Sequence, residues 1–255
     1  GKLYLTSGRH EQAEAVYRSL LRRMPRDADV RIGLGWALAR SSRPADAEQS
    51  FREAVVVEPA YWMSYNALGS FLFTVGRSGE AADAFVRVTE LAPGNPTGFN
   101  NLGAARLATG QLAAAAQAFE RSNRIEPSRS AYSNLGTVYY YLGRFSEAEV
   151  MYSKALDIAP EDFQLWSGRA DTRWHLPDRR DLAMQDYRRA AALAERTLAV
   201  DATDAQTWAI LGFIYGRLDD AERSTRYLER ALEMGVASPF VNYLAAIAAA
   251  YRGDR

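Results

Sequence analysis

The chain has 255 residues, and its 31 lysine and arginine residues balance 31 aspartate and glutamate residues, so the formal net charge is zero. A balanced charge provides no basic face of the kind that attracts nucleic acid or an anionic membrane. The hydrophobic content of 48% excludes a disordered chain, and the absence of cysteine excludes disulfides, thiol catalysis and cysteine-ligated metals. No apolar run reaches the roughly 18 residues of a membrane span, so we expect neither nucleic-acid binding nor direct membrane insertion.

Prolines recur along the chain at almost constant intervals. Pro25, Pro59, Pro93, Pro127 and Pro160 follow one another at spacings of 34, 34, 34 and 33 residues. A constant period of this length indicates stacked copies of one supersecondary unit instead of a single closed core. The spacing therefore predicts a repeat architecture.

Each interval between two prolines contains the same residue types in the same order. A Leu-Gly pair comes first, a small alanine follows, and an aromatic residue stands four positions after the alanine. The matching residues are Leu34-Gly35, Leu68-Gly69, Leu102-Gly103 and Leu135-Gly136, then Ala47, Ala81, Ala115 and Ala148, then Phe51, Phe85, Phe119 and Tyr152. The glycine and the alanine allow two helices to approach closely, and the aromatic ring fills the gap between repeats.

The ends of the predicted helices also repeat. Gly76, Gly110 and Gly143 stand where the first helix of a repeat should end, because glycine accepts a left-handed backbone conformation. The recurring proline ends the second helix, because it lacks an N–H donor and clashes with the preceding turn.

These residues resemble the tetratricopeptide repeat, a helix–turn–helix unit of 34 residues. The resemblance implies an all-α fold, an α-solenoid in which antiparallel helix pairs form a right-handed superhelix. It is most specific between residues 28 and 162. We expect regular repeats over 1–162, at 1–27 (with a truncated first helix), 28–61, 62–95, 96–129 and 130–162.

The next repeat, 163–204, is predicted to be atypical. Arg169-Ala170 replaces the Leu-Gly pair, and Pro177 stands where the turn glycine is expected. The segment from Asp181 to Val200 has no helix breaker, so we expect a second helix about two turns longer than in a regular repeat.

The last part, 205–255, is predicted to contain one repeat and a terminal half-repeat. Ser224 replaces the small alanine, and the segment from Pro239 to Tyr251 has no charged residue. A helix that is apolar on nearly all sides needs covering on several faces. Either the segment has been separated from its partner helix, or it associates end to end with another molecule through 239–251.

The sequence contains no constellation of catalytic or metal-binding residues. Its two histidines, His10 and His175, cannot form a histidine-rich metal site, and no phosphate-binding loop or nucleophile elbow is present. We expect no enzymatic activity and no cofactor. Because the chain begins at Gly1 without an initiator methionine, we expect it to be a fragment, so a catalytic domain elsewhere in the parent protein stays open.

In the repeat family that the sequence resembles, the first helix of each repeat lines a concave face. Amides on that face can pair with a peptide backbone, and aromatic residues without an obvious packing neighbour can anchor a partner. The candidate partner-binding residues are Trp36, Arg40, Asn66, Ser70, Phe73, Asn100, Asn101, Asn134, Thr137, Tyr140, Tyr141, Trp174, His175 and Phe213. The asparagines resemble the peptide groove of repeat regions in O-linked N-acetylglucosamine transferase and kinesin light chain.

Three functional hypotheses follow, with the compartment (cytoplasm or periplasm) left open. The first is a non-enzymatic scaffold that binds a protein partner, as a peptide or a helix, in the concave groove. The second is a sensory or docking arm of a bacterial signalling protein, because Asp178 to Arg255 resembles repeat arrays that follow serine/threonine kinase or adenylate cyclase domains. The third is the repeat region of a glycosyltransferase.

Overall fold

The computed structural model describes residues 1–234 and Ala246, and 14 α-helices and no strand are found among these residues. The chain divides into two compact parts. We call residues 1–127 the N-terminal part and the residues from Ser128 onward the C-terminal part. Apart from Ala246, the apolar segment 239–251 lies outside the described residues, so both interpretations of it stay predictions.

The N-terminal part contains eight helices in its described residues. They are α1 (Lys2–Thr6), α2 (His10–Arg23), α3 (Ala28–Arg40), α4 (Pro44–Val57), α5 (Trp62–Thr74), α6 (Ser78–Leu91), α7 (Pro96–Ala108) and α8 (Leu112–Ile125). Helices α3 to α8 form three pairs, each packed along its length. The predicted all-α repeat of helix pairs is confirmed, and α1 is a short first helix of five residues.

The C-terminal part contains six helices in its described residues. They are α9 (Arg129–Tyr141), α10 (Phe145–Ile158), α11 (Phe163–Trp174), α12 (Arg180–Val200), α13 (Ala205–Arg217) and α14 (Ala221–Glu233). They again form successive pairs, α9 with α10, α11 with α12 and α13 with α14.

The glycine of the Leu-Gly pair is required by close packing inside each pair. A Cβ atom on Gly35 would lie 2.6 Å from the Phe51 ring, and one on Gly103 would lie 2.7 Å from the Phe119 ring. Phe51 also approaches Phe71 of the next repeat, with 5.3 Å between ring centroids. The aromatic residue therefore fills both the space above its own glycine and the gap between repeats, as predicted.

The turns between paired helices use the left-handed conformation. Gly76, Gly110 and Gly143 have φ angles of 82°, 75° and 72°, which confirms the prediction made for them. In the atypical repeat the left-handed residue is Asp178, with φ of 57°, which directly follows Pro177. An aspartate tolerates this conformation better than most non-glycine residues.

The atypical repeat differs from the others in length. Helix α12 has 21 residues, whereas α4, α6, α8 and α10 have 14 each. Seven additional residues are about two turns of helix.

Ion pairs replace apolar contacts inside this atypical repeat. Arg169 donates to both carboxylate oxygens of Asp186 at 2.9 Å, and Arg173 donates to Asp186 at 2.8 Å and to Glu149 at 2.7 Å. The Asp186 side chain is only 4% exposed. This network explains why an arginine stands where the regular repeats have a buried leucine.

Candidate functional site

Helices α1, α3 and α5 border a groove in the N-terminal part, with a volume of about 580 Å³. Most of its wall is apolar, with aromatic rings from α2, α3 and α5. Its lining residues are Gly1, Leu5, Tyr17, Asp27, Asp29, Val30, Ile32, Gly33, Trp36, Trp62, Met63, Asn66 and Ala67. Two candidates from the sequence, Trp36 and Asn66, lie in this groove.

Trp36 is held by the core beneath the groove. Its ring meets Phe51 edge to face, with 5.0 Å between centroids and an interplanar angle of 67°. The expectation that the inward aromatic residues lack a packing neighbour is therefore wrong for Trp36. Because this packing fixes the ring, Trp36 forms a rigid wall that needs no reordering before a ligand binds.

Two of the predicted asparagines bind each other. The Asn101 side-chain N–H donates to the Asn66 oxygen at 3.0 Å, which joins α7 to α5. An amide has two N–H donors and one oxygen acceptor. The pair therefore keeps the Asn66 N–H groups and the Asn101 oxygen for further hydrogen bonds. The neighbouring Asn100 is half-buried.

The remaining candidates of the N-terminal part lie outside the groove lining. Arg40 is exposed at the end of α3, and Ser70 is half-buried on α5. Phe73, near the end of α5, is 39% exposed. The structure thus brings Trp36, Asn66 and Asn101 together and leaves Arg40 and Phe73 at the other ends of their helices.

Sequence analysis did not single out several residues of the groove. Trp62 and Met63 open α5, and Asp29 and Ile32 lie in the first half of α3. Asp29, Ile32 and Met63 occupy inward-facing helix positions of the same kind as the other candidates, so the repeat pattern itself was the signal for them.

Negative charge is concentrated at one edge of the groove. Asp27 accepts the Val30 N–H and caps α3, while Asp29 accepts the Tyr61 hydroxyl at 2.8 Å. Burial and the neighbouring Asp29 raise the pKa of Tyr61 to about 12. Among the side chains that the structure describes, no lysine, arginine or histidine lines this groove.

In the C-terminal part, four aromatic rings form a cluster. His175 stacks on Phe145 at 4.6 Å between centroids, and Tyr140 meets Tyr141, Phe145 and His175 edge to face at 5.6 to 5.8 Å. Burial, together with the positive charge of Arg217, lowers the pKa of His175. Tyr140 and Phe145 are therefore half-buried by packing within the cluster, whereas Tyr141 is 63% exposed.

Two aromatic rings and a carboxylate surround Arg217 in the C-terminal part. Its guanidinium lies 5.2 Å from the Trp174 ring and 5.3 Å from the Phe213 ring, and 4.0 Å from the Asp171 carboxylate. Phe213 is only 8% exposed. The prediction of Phe213 as an exposed anchor is therefore wrong, because Arg217 and the surrounding helices cover its ring.

Asp171 is a half-buried carboxylate beside Arg217. It accepts the Tyr187 hydroxyl at 2.5 Å. Burial raises the pKa of Asp171 to about 6, against the opposing effects of Tyr187 and Arg217. The last two candidates, Asn134 and Thr137, are half-buried on α9, and the Thr137 hydroxyl lies 2.9 Å from the Tyr152 hydroxyl.

The described residues contain neither a metal-binding group nor a membrane-spanning helix. Within 1–234, no three histidine, aspartate or glutamate side chains are grouped so that they could hold a metal ion. No described helix is both long and apolar enough to cross a bilayer.

Sequence models of the tetratricopeptide repeat match residues 1–63, 66–129, 130–162 and 205–234. The atypical repeat, 163–204, lies outside the matched ranges. A search of curated protein sequences finds no match.

Solved structures show the same fold. Over 96% of this chain, the fold is similar to a chain of the APC/C hetero-tetramer Cut9–Hcn1, with a TM-score of 0.74 and 14% identity, and the match spans 47% of that chain. A tetratricopeptide repeat protein from Parabacteroides merdae matches 96% of this chain and 94% of its own, with a TM-score of 0.72 and 18% identity. MamA is 27% identical over 60% of this chain and 91% of its own, with a TM-score of 0.55. The chain belongs to the tetratricopeptide repeat family.

Proposed function

We propose that this chain is a non-catalytic scaffold that binds an extended segment of a protein partner in the groove of its N-terminal part. The observation that carries the proposal is the combination, in one groove, of a rigid aromatic wall and an amide, Asn66, that a second amide holds in place. Trp36 is fixed by Phe51, and Asn66 is fixed by Asn101. Pre-ordered groups of this kind bind with little loss of conformational freedom.

The amide pair favours an extended segment over a helix as the bound form. A helix satisfies its own backbone N–H and C=O groups internally, whereas an extended segment offers them to its receptor. Asn66 presents its N–H donors beside the apolar wall, and its partner Asn101 keeps an oxygen acceptor. The pair therefore suits a backbone whose side chains enter the groove.

The comparisons support a protein as the partner. Helical repeats stack into surfaces that bind other macromolecules, and one of the structures that match 96% of this chain is a chain of the Cut9–Hcn1 hetero-tetramer. This chain spans about half the length of that relative. The proposed partner of this chain is therefore defined by the chemistry of its groove alone.

The test is a selection of random 12-residue peptides displayed on phage, with the whole chain as bait. Met63→Ala removes a side chain that lines the groove and is 42% exposed. We expect it to weaken binding of the selected peptides by roughly 5- to 30-fold, the usual range for an interface anchor. Fluorescence anisotropy measures this loss.

Val56→Ala is the matched control, because Val56 is an exposed aliphatic residue on α4 that does not line the groove. We expect it to leave peptide affinity unchanged, and both variants to keep the melting transition of the parent chain. Equal losses for the two variants, or no loss for Met63→Ala, would contradict the proposal.

A further inference from the structure

Among its described lining residues, the groove of the N-terminal part has side-chain charge of one sign only. Asp27 and Asp29 lie at the start of α3, and the Glu58 carboxylate accepts the Ala28 N–H there at 3.4 Å. The other side chains of the lining carry no charge at neutral pH. An occupant that places a carboxylate at this edge would meet repulsion, whereas a cation would be attracted.

These aspartates differ from most carboxylates of the neighbouring helices. Glu14, Glu48 and Glu80 each pair with an arginine. Within residues 1–234, by contrast, neither Asp27 nor Asp29 forms an ion pair. Among the described side chains, no ion pair therefore balances the negative charge at the groove edge.

Asp29 is also held in a fixed orientation. It is exposed, and the Tyr61 hydroxyl donates to its Oδ1 atom at 2.8 Å. Among the described residues its Oδ2 atom has no hydrogen bond. The raised pKa of Tyr61 reflects burial first and then Asp29, Glu58 and Asp27, which is consistent with a negative potential at this edge.

Apolar side chains lie beside the charged edge. Trp62 and Met63 start α5 next to Tyr61, and Trp36 and Ile32 follow Asp29 along α3. A ligand residue that enters between the two tryptophans thus has a carboxylate within the same groove. Recognition of this kind needs a cation and an apolar group on adjacent parts of one segment.

We infer that the groove recognises an extended peptide segment in which a lysine or arginine stands next to a large apolar residue. The apolar side chain occupies the space between Trp36 and Trp62, and the cation forms a charge-assisted hydrogen bond with Asp29. The inference rests on the proposed function, and it adds the chemical class of the partner segment.

The test uses the same phage selection and then a double-mutant cycle. The selected peptides should be enriched in lysine or arginine beside leucine, isoleucine, methionine or phenylalanine. Each peptide is compared with a copy whose basic residue is changed to glutamine, on the parent chain and on Asp29→Asn. Asparagine keeps an oxygen for the Tyr61 hydroxyl but removes the charge.

We expect Asp29→Asn to weaken the basic peptide about tenfold and to leave the glutamine peptide unchanged, since a close charge pair couples the two sites. Asp83→Asn is the control, because Asp83 is an exposed carboxylate on α6 outside the groove lining. Asp29→Glu keeps the charge and should retain the preference for the basic peptide.

The possible failures are distinguishable. Selected peptides that lose affinity with Met63→Ala but lack basic residues, or that ignore Asp29→Asn, would overturn this inference and leave the proposed function intact. Peptides that ignore Met63→Ala, or a selection that yields none, would contradict the proposed function as well.

Discussion

The regular pair α3–α4 and the atypical pair α11–α12 have the same architecture but different interiors. In α3–α4, Gly35 receives the Phe51 ring with no polar atom involved. In α11–α12, Ala170 and Tyr187 occupy the corresponding positions, seven residues after each helix begins, and Tyr187 donates its hydroxyl to Asp171. The repeat therefore tolerates a polar group in its interior where that group has a partner.

The two kinds of repeat also differ in where their charged side chains lie. Asp186, with Arg169 and Arg173, makes the interior of the atypical repeat depend on charge. In the regular repeats, arginines such as Arg77 form ion pairs at the exposed surface, in this case with Glu80. We therefore expect mutations and pH to affect the two kinds of repeat differently.

The largest effect should come from Asp186→Ala. The substitution leaves the Arg169 and Arg173 side chains, 13% and 14% exposed, without their shared carboxylate. Removing one partner of a buried ion pair costs about 3–5 kcal/mol of unfolding free energy. Guanidinium denaturation followed by circular dichroism measures the loss.

The comparison for this variant is Glu80→Ala, which removes the partner of Arg77 at the surface of the N-terminal part. Water screens an exposed ion pair, so it contributes little to stability, and the loss should be several times smaller. Similar losses for the two variants would show that the Asp186 network is no more important than a surface pair.

An intermediate effect is expected where the glycine of a Leu-Gly pair packs against an aromatic ring. Gly103→Ala places a Cβ atom 2.7 Å from the Phe119 ring, and overpacking of this kind costs about 1–3 kcal/mol. Gly136→Ala, at 3.1 Å from Tyr152, should cost less, and Gly79→Ala, with open space around its Cβ, should be neutral. Thermal and denaturant unfolding should give this order, and a destabilised Gly79→Ala would contradict it.

The raised pKa of Asp171 should make the free energy of unfolding depend on pH. Because burial raises this pKa from 3.8 to about 6, the folded chain binds the proton more tightly than the unfolded chain. Protonation therefore stabilises the fold. The contribution is complete below pH 4 and decreases as the pH rises to 6, by roughly 1 kcal/mol per pH unit.

Asp171→Asn isolates this contribution, because asparagine keeps an oxygen for the Tyr187 hydroxyl and does not titrate. We expect the variant to be more stable than the parent chain at pH 7, and the difference to shrink as the pH falls towards 4. A difference that does not change with pH, measured by urea unfolding across this range, would contradict the assignment.

The sequence allowed the fold to be predicted because its signals are local. These signals are the proline period, the turn glycines and the glycine–aromatic pairs, and each can be read from one repeat or its neighbour. The positions of the helix pairs and of the long α12 could therefore be predicted. Trp36 and Asn66 were placed on the correct helices for the same reason. The burial of Phe213 could not be predicted, because it depends on Arg217 and Trp174 meeting across two helices. The Asn66–Asn101 bond likewise depends on the spacing between α5 and α7.

The central claim is that the groove of the N-terminal part binds the partner, and the side-chain N–H signals of the tryptophans test it most directly. Trp36 and Trp62 line the groove, whereas Trp166 and Trp208 donate to the backbone oxygens of Pro160 and Ala202. In ¹⁵N NMR titrations with a selected peptide, the indole signals of Trp36 and Trp62 should shift with the fraction bound, and those of Trp166 and Trp208 should stay in place. Shifts confined to Trp166 or Trp208 would contradict the claim.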